Sequence, residues 1–289
     1  PLPGRCLRVP LEGLPMMGRW DDLLLQRPSN TSSCTYDTRL CVLFRCMPVS
    51  KAVMLFFLML TERRVILMSS KPSVLSDCAH ALHSLLYPFT WQHIYVPVLV
   101  KKMLDYVCAP MPFIIGMHIS LLPDLKRMPM EEVVMVDLDR GRLRYNEADI
   151  AHLPDEHFDA IVHAIDTCKQ NQTGDDTKDW APLASIFLDF FLAIFCNYRH
   201  YVSRENGRIG LDKDNFRRSQ RKNMAKFLEE FERSQMYEVL WTERLATDNP
   251  LDGDMLDDPF EVAIFNVTGD NSTSRSFDDR HLPRSNTHP

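Results

Sequence analysis

Apolar residues begin to form a regular pattern near residue 38. Before it, residues 1–37 are rich in proline, serine and asparagine, with one short apolar stretch from Asp21 to Leu25. That texture predicts a connector lying along a surface. From Thr38 the runs become compact: Leu40 to Phe44, then Ala52 to Leu60 after Pro48, then Arg63 to Met68 with the β-branched pair Val65 and Ile66. Their lengths and composition predict strand, helix and strand. Ser70-Lys71-Pro72-Ser73 places a proline in the first turn of a new helix, where its missing N–H costs nothing. Leu75, Cys78, Ala79, Leu82, Leu85 and Leu86 recur at steps of three and four as one buried face, and the helix stops before Pro88. Ile94 to Leu99 predicts a strand, and Pro97 inside it implies an edge position or a bulge. Met103 to Cys108 follows as a short helix, Phe113 to Ile115 as a strand ending at Gly116, Leu121 to Met128 as a helical connector and Val133 to Leu138 as a last strand.

Strands separated by helical segments need crossovers, so the fold class is α/β: a mostly parallel sheet of about five strands between residues 38 and 138, with helices on both faces. A helical subdomain follows, because Pro154 to Lys169, Trp180 to Tyr201, Asn215 to Phe231 and Gln235 to Leu245 carry apolar residues at helical spacing. The polar stretch Gln170 to Asp179 between the first two predicts a mobile loop. The organisation is therefore a connector over 1–37, an α/β core over 38–150, a helical portion over 151–246 and an acidic, then polar, largely disordered tail over 247–289. Within that tail Phe260 to Phe265 is expected to pack back onto the helices.

Composition narrows the class only modestly. With 45% hydrophobic and 25% charged residues the 289-residue chain has a globular composition, and a net charge of −6 offers no global attraction for nucleic acid. The eight cysteines never form C-x-x-C and several lie in apolar runs, the pattern of reduced intracellular thiols. The uninterrupted run Ala52 to Leu60 has nine residues, and Asp189 interrupts Ala181 to Cys196, so no membrane span of about 20 residues is expected. The chain opens Pro1-Leu2-Pro3-Gly4 and reads as a piece of a longer protein.

Motifs for covalent chemistry are missing from the sequence. There is no G-x-G-x-x-G, Walker sequence or G-x-S-x-G elbow, so neither a cofactor nor a catalytic residue is assigned. His80 and His83 could begin a metal site but lack a third ligand nearby, and no metal is expected; one is read as buried and the other as exposed. Asp137 and Asp139 are read as strand-end carboxylates rather than an acid and base pair. Arg204, Arg208, Lys213, Arg217, Arg218, Arg221, Lys222 and Lys226 form a basic region that would suit anionic lipid or an acidic partner, but a solvated helix face is favoured. Met111, Met117, Met128, Met130 and Met135 are read as core filler. Asp258-Pro259-Phe260 has the form of a docking motif for an endocytic adaptor.

One stretch is more specific. Glu62 to Ile66, Ser69-Ser70-Lys71, Leu85 to Phe89, Trp91-Gln92-His93 to Val98, Leu104-Asp105-Tyr106 and Ala109 to Gly116 resemble, in order and spacing, the central portion of a DENN domain. Val133 to Asp139 resembles its next strand and Phe216 to Leu245 its downstream helices. Trp91-Gln92-His93 and Ala109-Pro110-Met111-Pro112 are similar to the connecdenn group. The resemblance implies a guanine-nucleotide exchange factor for a Rab GTPase, acting without covalent chemistry by binding the nucleotide-free GTPase between a longin-like lobe and the DENN lobe. Its alternative is a Rab-binding scaffold or trafficking adaptor that keeps the fold without exchange. The residues before Thr38 are too few for a longin-like lobe, so residues 1–37 are read as following one. The implied setting is cytoplasmic, peripheral on endosomal or clathrin-coated vesicle membranes. GTPase-facing candidates are Tyr87, Trp91, Gln92, Tyr95, Asp105, Tyr106, Pro110, Pro112 and Phe113.

Overall fold

The computed structural model describes residues 6–9, 23–26, 39–130, 132–171, 181–205, 208–246 and 258–269. An antiparallel pair opens it, β1 (Cys6–Val9) with β2 (Leu23–Gln26), in register Leu7 to Leu25. The run Leu40 to Phe44, expected as a strand, is instead a helix, α1 (Arg39–Cys46). Leu40, Leu43, Phe44 and Met47 are all buried, which is the i, i+3, i+4, i+7 stripe of a helix rather than the alternation of a strand. A five-residue apolar run does not itself distinguish the two. After Pro48 the chain turns by 114° into α2 (Val49–Leu60).

The turn out of α2 closes with Arg63 N–H donating to the Leu58 carbonyl and Glu62 N–H to that of Met59. This Schellman pattern usually takes glycine, yet Glu62 holds the left-handed conformation at φ 51°. Its carboxylate offsets the strain. Oε1 accepts the Met236 N–H at 2.9 Å, and Oε2 lies 2.9 Å from His93 Nε2. Three distant segments meet at this one side chain.

The central sheet has the order β4-β5-β3-β6-β7, built from β3 (Arg64–Ser69), β4 (Ile94–Leu99), β5 (Phe113–His118), β6 (Val133–Asp137) and β7 (Arg142–Arg144). The first four are parallel, and β7 returns antiparallel through Gly141 at φ 59°. Four strands therefore lie between residues 38 and 138, and the fifth is β7. Helix α3 (Pro72–Leu85) buries Leu75, Cys78, Ala79, Leu82 and Leu85, the face its spacing predicts. As Pro97 implies, β4 is an edge strand of this sheet, and its pairing register shifts between Val96 and Leu99. The Pro97 carbonyl presses over β5 so closely that a Cβ on Gly116 would lie 1.9 Å from its oxygen. Gly116 thus serves a close backbone approach inside the strand, and β5 runs through it to His118 rather than ending there.

The two sheet faces are covered unequally. One carries α1, α2, α3 and the helical portion. The other buries Ile66, Met68, Phe113, Ile115 and Met117, covered among the described residues by a 3-10 helix (Lys101–Cys108) and α4 (Leu122–Leu125).

Beyond the sheet lie α5 (Asp155–Asn171), α6 (Ala181–Phe195), α7 (Lys213–Ser219), α8 (Lys222–Phe231), α9 (Gln235–Leu245) and α10 (Pro259–Gly269). Two helices expected as continuous are interrupted. The stretch to Tyr201 ends in a 3-10 turn (Tyr198–Tyr201) that leads into an antiparallel hairpin, β8 (Val202–Glu205) with β9 (Arg208–Leu211). Gln220, extended at ψ 157°, separates α7 from α8. Within this portion Asp212 and Ser234 cap α7 and α9 with their side chains. The predicted loop 170–179 lies almost wholly outside the described residues.

Pro182 to Tyr201 is long and apolar enough to cross a membrane by composition, but half of it is buried inside the fold. Its rings form the centre of the core: Phe187 lies 4.9 Å from Phe56 and Phe190 5.3 Å from Phe57, both edge-on, while Phe227 meets Phe57 at 5.5 Å. Such pairs add about 0.5–1.5 kcal/mol each beyond area burial. Packing is thus continuous across residue 150, from α2 to α6 and α8.

Candidate functional site

The nine residues singled out from sequence separate into three environments. Trp91 and Phe113 are core, 6% and 0% exposed, and Trp91 Nε1 donates to the Ile94 carbonyl at 3.2 Å. Tyr87, Gln92 and Tyr95 are half-buried. The Tyr95 ring stands against His80 and His83 at 5.7 and 5.3 Å, Gln92 Nε2 donates to the Thr90 carbonyl, and the Tyr87 hydroxyl donates to Asp258 Oδ1. Asp105, Tyr106 and Pro110 are exposed and Pro112 is half-exposed. Trp91, Gln92, Pro110 and Pro112 precede strands, at the amino ends of β4 and β5. They do not sit at the carboxyl ends, where open α/β sheets present their functional groups.

The exposed members lie on the crossover from β4 to β5, and exposure joins Val98, Val100 and Met111 to Tyr106. Val98, Val100, Tyr106 and Met111 are 40, 56, 46 and 50% exposed. Of the five large hydrophobics that stand out among the described residues, four fall within this span of fourteen residues; Phe265 is the other. Met111, read as core filler, is exposed between Pro110 and Pro112, two residues before β5 begins. Lys101, Lys102 and Asp105 are exposed in the same span, and Lys101 pairs with Asp124 at 2.9 Å. Since Ile94 pairs with Phe113 in parallel, Val98 and Val100 lie at the carboxyl end of β4 and Met111 at the amino end of β5.

At the carboxyl ends of the central strands there is a polar network instead. Ser69 Oγ donates to Asp139 Oδ1 at 2.6 Å, and the Ser70 N–H donates to Oδ2 at 2.8 Å. His118 bonds the Ser70 carbonyl through Nε2 and Ser120 through Nδ1. The bond from Ser69 holds the Asp139 carboxyl below the usual range. Among the described residues the Ser69 hydroxyl is committed to the Asp139 carboxylate and His118 bonds Ser70 and Ser120 instead, so the group ties three strand ends together rather than forming a serine–histidine nucleophile pair. Stabilisation from a depressed carboxylate is present at neutral pH and lost as pH falls through its lowered pKa. Thermal unfolding of Asp139→Asn is expected to lie below that of the native chain at pH 7, with the gap closing as pH drops from about 5 towards 3; a pH-independent gap would contradict the assignment.

Other candidates resolve into structure. Asp137 bonds Arg140 at 3.1 Å. His80 and His83 are both half-buried, correcting the expected asymmetry. His80 Nδ1 is occupied by the Ser76 carbonyl, and burial pushes the pKa of His83 down. No cluster of His, Cys, Asp and Glu able to hold a metal occurs among the described residues. Much of the basic region is neutralised locally: Lys213 by Glu238, Arg217 by Glu232 and Asp214, Arg221 by Glu156. The Arg204 and Arg208 side chains lie outside the described residues. Met117 is core, but Met128, Met130 and Met135 are half-buried and line a cleft of about 450 Å³ beside β6 and β7. Phe260 of the acidic tail motif is fully buried. Cys46, Cys78, Cys108 and Cys168 are free thiols.

A family model for the DENN (AEX-3) domain matches residues 1–141, and thus includes the first 37 residues read as a connector. Human DENN domain-containing protein 2B is 35% identical over 248 residues, covering 82% of this chain and 22% of that protein. Human DENN domain-containing protein 2A is 37% identical over 217 residues, 70% of this chain and 22% of its own length. Human DENN domain-containing protein 1B is 35% identical over 222 residues, 76% of this chain and 28% of its own length. The chain spans only about a quarter of these relatives. On the matched residues and on the parallel sheet followed by helices, the chain belongs to the DENN domain family.

Proposed function

We propose that the chain is the GTPase-facing part of a Rab exchange factor, and that the β4–β5 crossover supplies its contact surface. The observation that carries this reading is that four of the five exposed large hydrophobics among the described residues, Val98, Val100, Tyr106 and Met111, fall along one stretch of fourteen residues that also exposes Lys101, Lys102 and Asp105. Exchange needs no bond made or broken on the exchange factor. It needs a surface that binds the nucleotide-free GTPase better than the GDP-bound form; by linkage, GDP affinity then falls by the same factor. Apolar anchors within a polar rim suit that task. The setting consistent with this activity is cytoplasmic, at the surface of trafficking membranes. The locally paired basic helices favour a solvated face over a lipid contact, and an adaptor contact through Asp258-Pro259-Phe260 requires α10 to leave its seat.

The test is release of fluorescent GDP from a panel of Rabs, with the chain alone and with a longin-like lobe joined before Pro1. Acceleration on at least one Rab by the joined form is expected. None on any Rab overturns exchange activity, and tight binding of a Rab without acceleration assigns the scaffold role instead.

A further inference from the structure

Helix α10 is seated by unusual means for so short an element. Two apolar side chains at i, i+4 spacing anchor it, Phe260 and Ile264, 0% and 2% exposed. Ala263 packs beside them against the core, and ion pairs and hydrogen bonds complete the attachment. Arg244, its side chain 9% exposed, reaches both Asp258 at 2.7 Å and Glu261, and its guanidinium lies 5.0 Å from the centre of the Phe260 ring. Arg199 pairs with the other oxygen of Glu261 at 2.8 Å, and the Tyr198 hydroxyl donates to Glu261 at 2.9 Å. Tyr87 contributes at the entrance, donating to Asp258 and accepting the Phe260 N–H at 3.0 Å. The Tyr198 phenol is pushed up to about 12, by burial first and by Glu261 next, so it stays a donor at neutral pH.

Among the described residues, the receiving side thus aims the donors Tyr87 and Tyr198 and the cations Arg199 and Arg244 at carboxylates, and Tyr87 also accepts the Phe260 N–H. The receiving groups come from the Tyr87 turn, the 3-10 turn after α6, and α9. The incoming helix presents two carboxylates three residues apart with an aromatic ring between them. This is the arrangement of a helix-in-groove recognition site, in which spaced anchors and charge complementarity define the ligand. On the outward side of α10, Phe265 is 67% exposed. A helix held by two apolar anchors can open without the core unfolding.

We propose that the groove between α6, α9 and the Tyr87 turn is a recognition site for short acidic helices carrying a buried aromatic residue, which α10 fills from within the chain and yields to a partner segment of the same chemistry. Displacement withdraws the Asp258 and Phe260 contacts from Tyr87, at the entry to the Trp91-Gln92 segment. The inference is independent of whether the β4–β5 crossover binds a GTPase.

A fluorescein-labelled peptide of residues 258–269 is the probe. In the native chain it must compete with a tethered segment whose effective concentration is on the order of millimolar, so its binding should be weak. In Phe260→Ala, which loosens the resident helix, the peptide should bind at least about tenfold more tightly than to the native chain. Adding Arg244→Met to that variant should remove the gain. Equal binding to native and Phe260→Ala chains, or binding that survives Arg244→Met, overturns the proposal. A second readout needs no variant. In the native chain with excess peptide, hydrogen exchange at the amides of 260–269 should quicken while that of β3 and β5 does not; no change relative to a scrambled peptide also overturns it.

Discussion

Gly116→Ala is expected to destabilise the chain by about 3 kcal/mol or more, at the upper end of what overpacking costs. The new Cβ would lie 1.9 Å from the Pro97 carbonyl oxygen and 2.9 Å from its carbon, with Leu75 Cβ at 3.4 Å on another side. Backbone, not a flexible side-chain end, must move by more than an ångström. β5 cannot yield, because it is hydrogen-bonded to β3 on one side and β4 on the other. β4 has to yield instead, at the place where its register already shifts. For a chain of this size the loss corresponds to a fall in Tm of roughly 6–12 °C. Thermal unfolding by circular dichroism measures it, and a Tm unchanged within about 1 °C would show that the close approach does not exist. Because Pro97 directly precedes Val98, the same variant should weaken partner binding more than its stability loss accounts for.

Tyr106→Asp combined with Met111→Asp should act in the opposite way, leaving stability within about 0.5 kcal/mol of the native chain while removing GTPase binding. Both side chains are about half exposed, at 46 and 50%, and neither fills the core. A buried aromatic anchor in an interface contributes about 2 kcal/mol or more, roughly a thirtyfold change in Kd. Placing a carboxylate at each position also sets unpaired charge inside a closing apolar contact. A loss of at least about thirtyfold is expected in Rab binding, with GDP release falling in parallel. Phe265→Asp is the control, since that residue is more exposed than either and lies on α10. Equal loss in the control, or none in the double variant, would remove the crossover from the interface.

What the sequence disclosed depended on how many residues each signal used. Helix α3 was legible because six apolar residues repeat over three turns behind a first-turn proline. The edge position of β4 was legible from one residue, Pro97, because missing a backbone donor is a local chemical fact. In α1 the run was too short for its period to show, and its true partner, Met47, lay beyond the run. β7 spans three residues and β8 and β9 four each, with charged side chains in all three, so no alternation could announce them. The interruption of α7 and α8 at Gln220 is a backbone choice that no apolar spacing records. At the site, residue type misled in both directions. Trp91 and Phe113 were chosen as anchors but fill the core, whereas Met111 was placed in the core but faces solvent. Buried, Trp91 still satisfies its indole N–H on the Ile94 carbonyl, while Met111 lies between two prolines ahead of β5; neither placement is written in residue type. The polar tie of Asp139 to Ser69 joins residues 70 positions apart, which no local pattern can contain.

The irregularity at Pro97 bears on how this protein behaves when crowded. A sheet edge normally offers a row of backbone donors and acceptors that another chain can extend, and an apolar edge invites fibrous aggregation. Here the apolar side chains at Val98 and Val100 are on view, yet the ladder beside them is broken, one donor missing and the register slipped. Stickiness and templating are thereby separated. Copies brought together at high concentration should cluster reversibly through side chains and disperse on dilution, without the slow, seeded growth that an unbroken edge would permit.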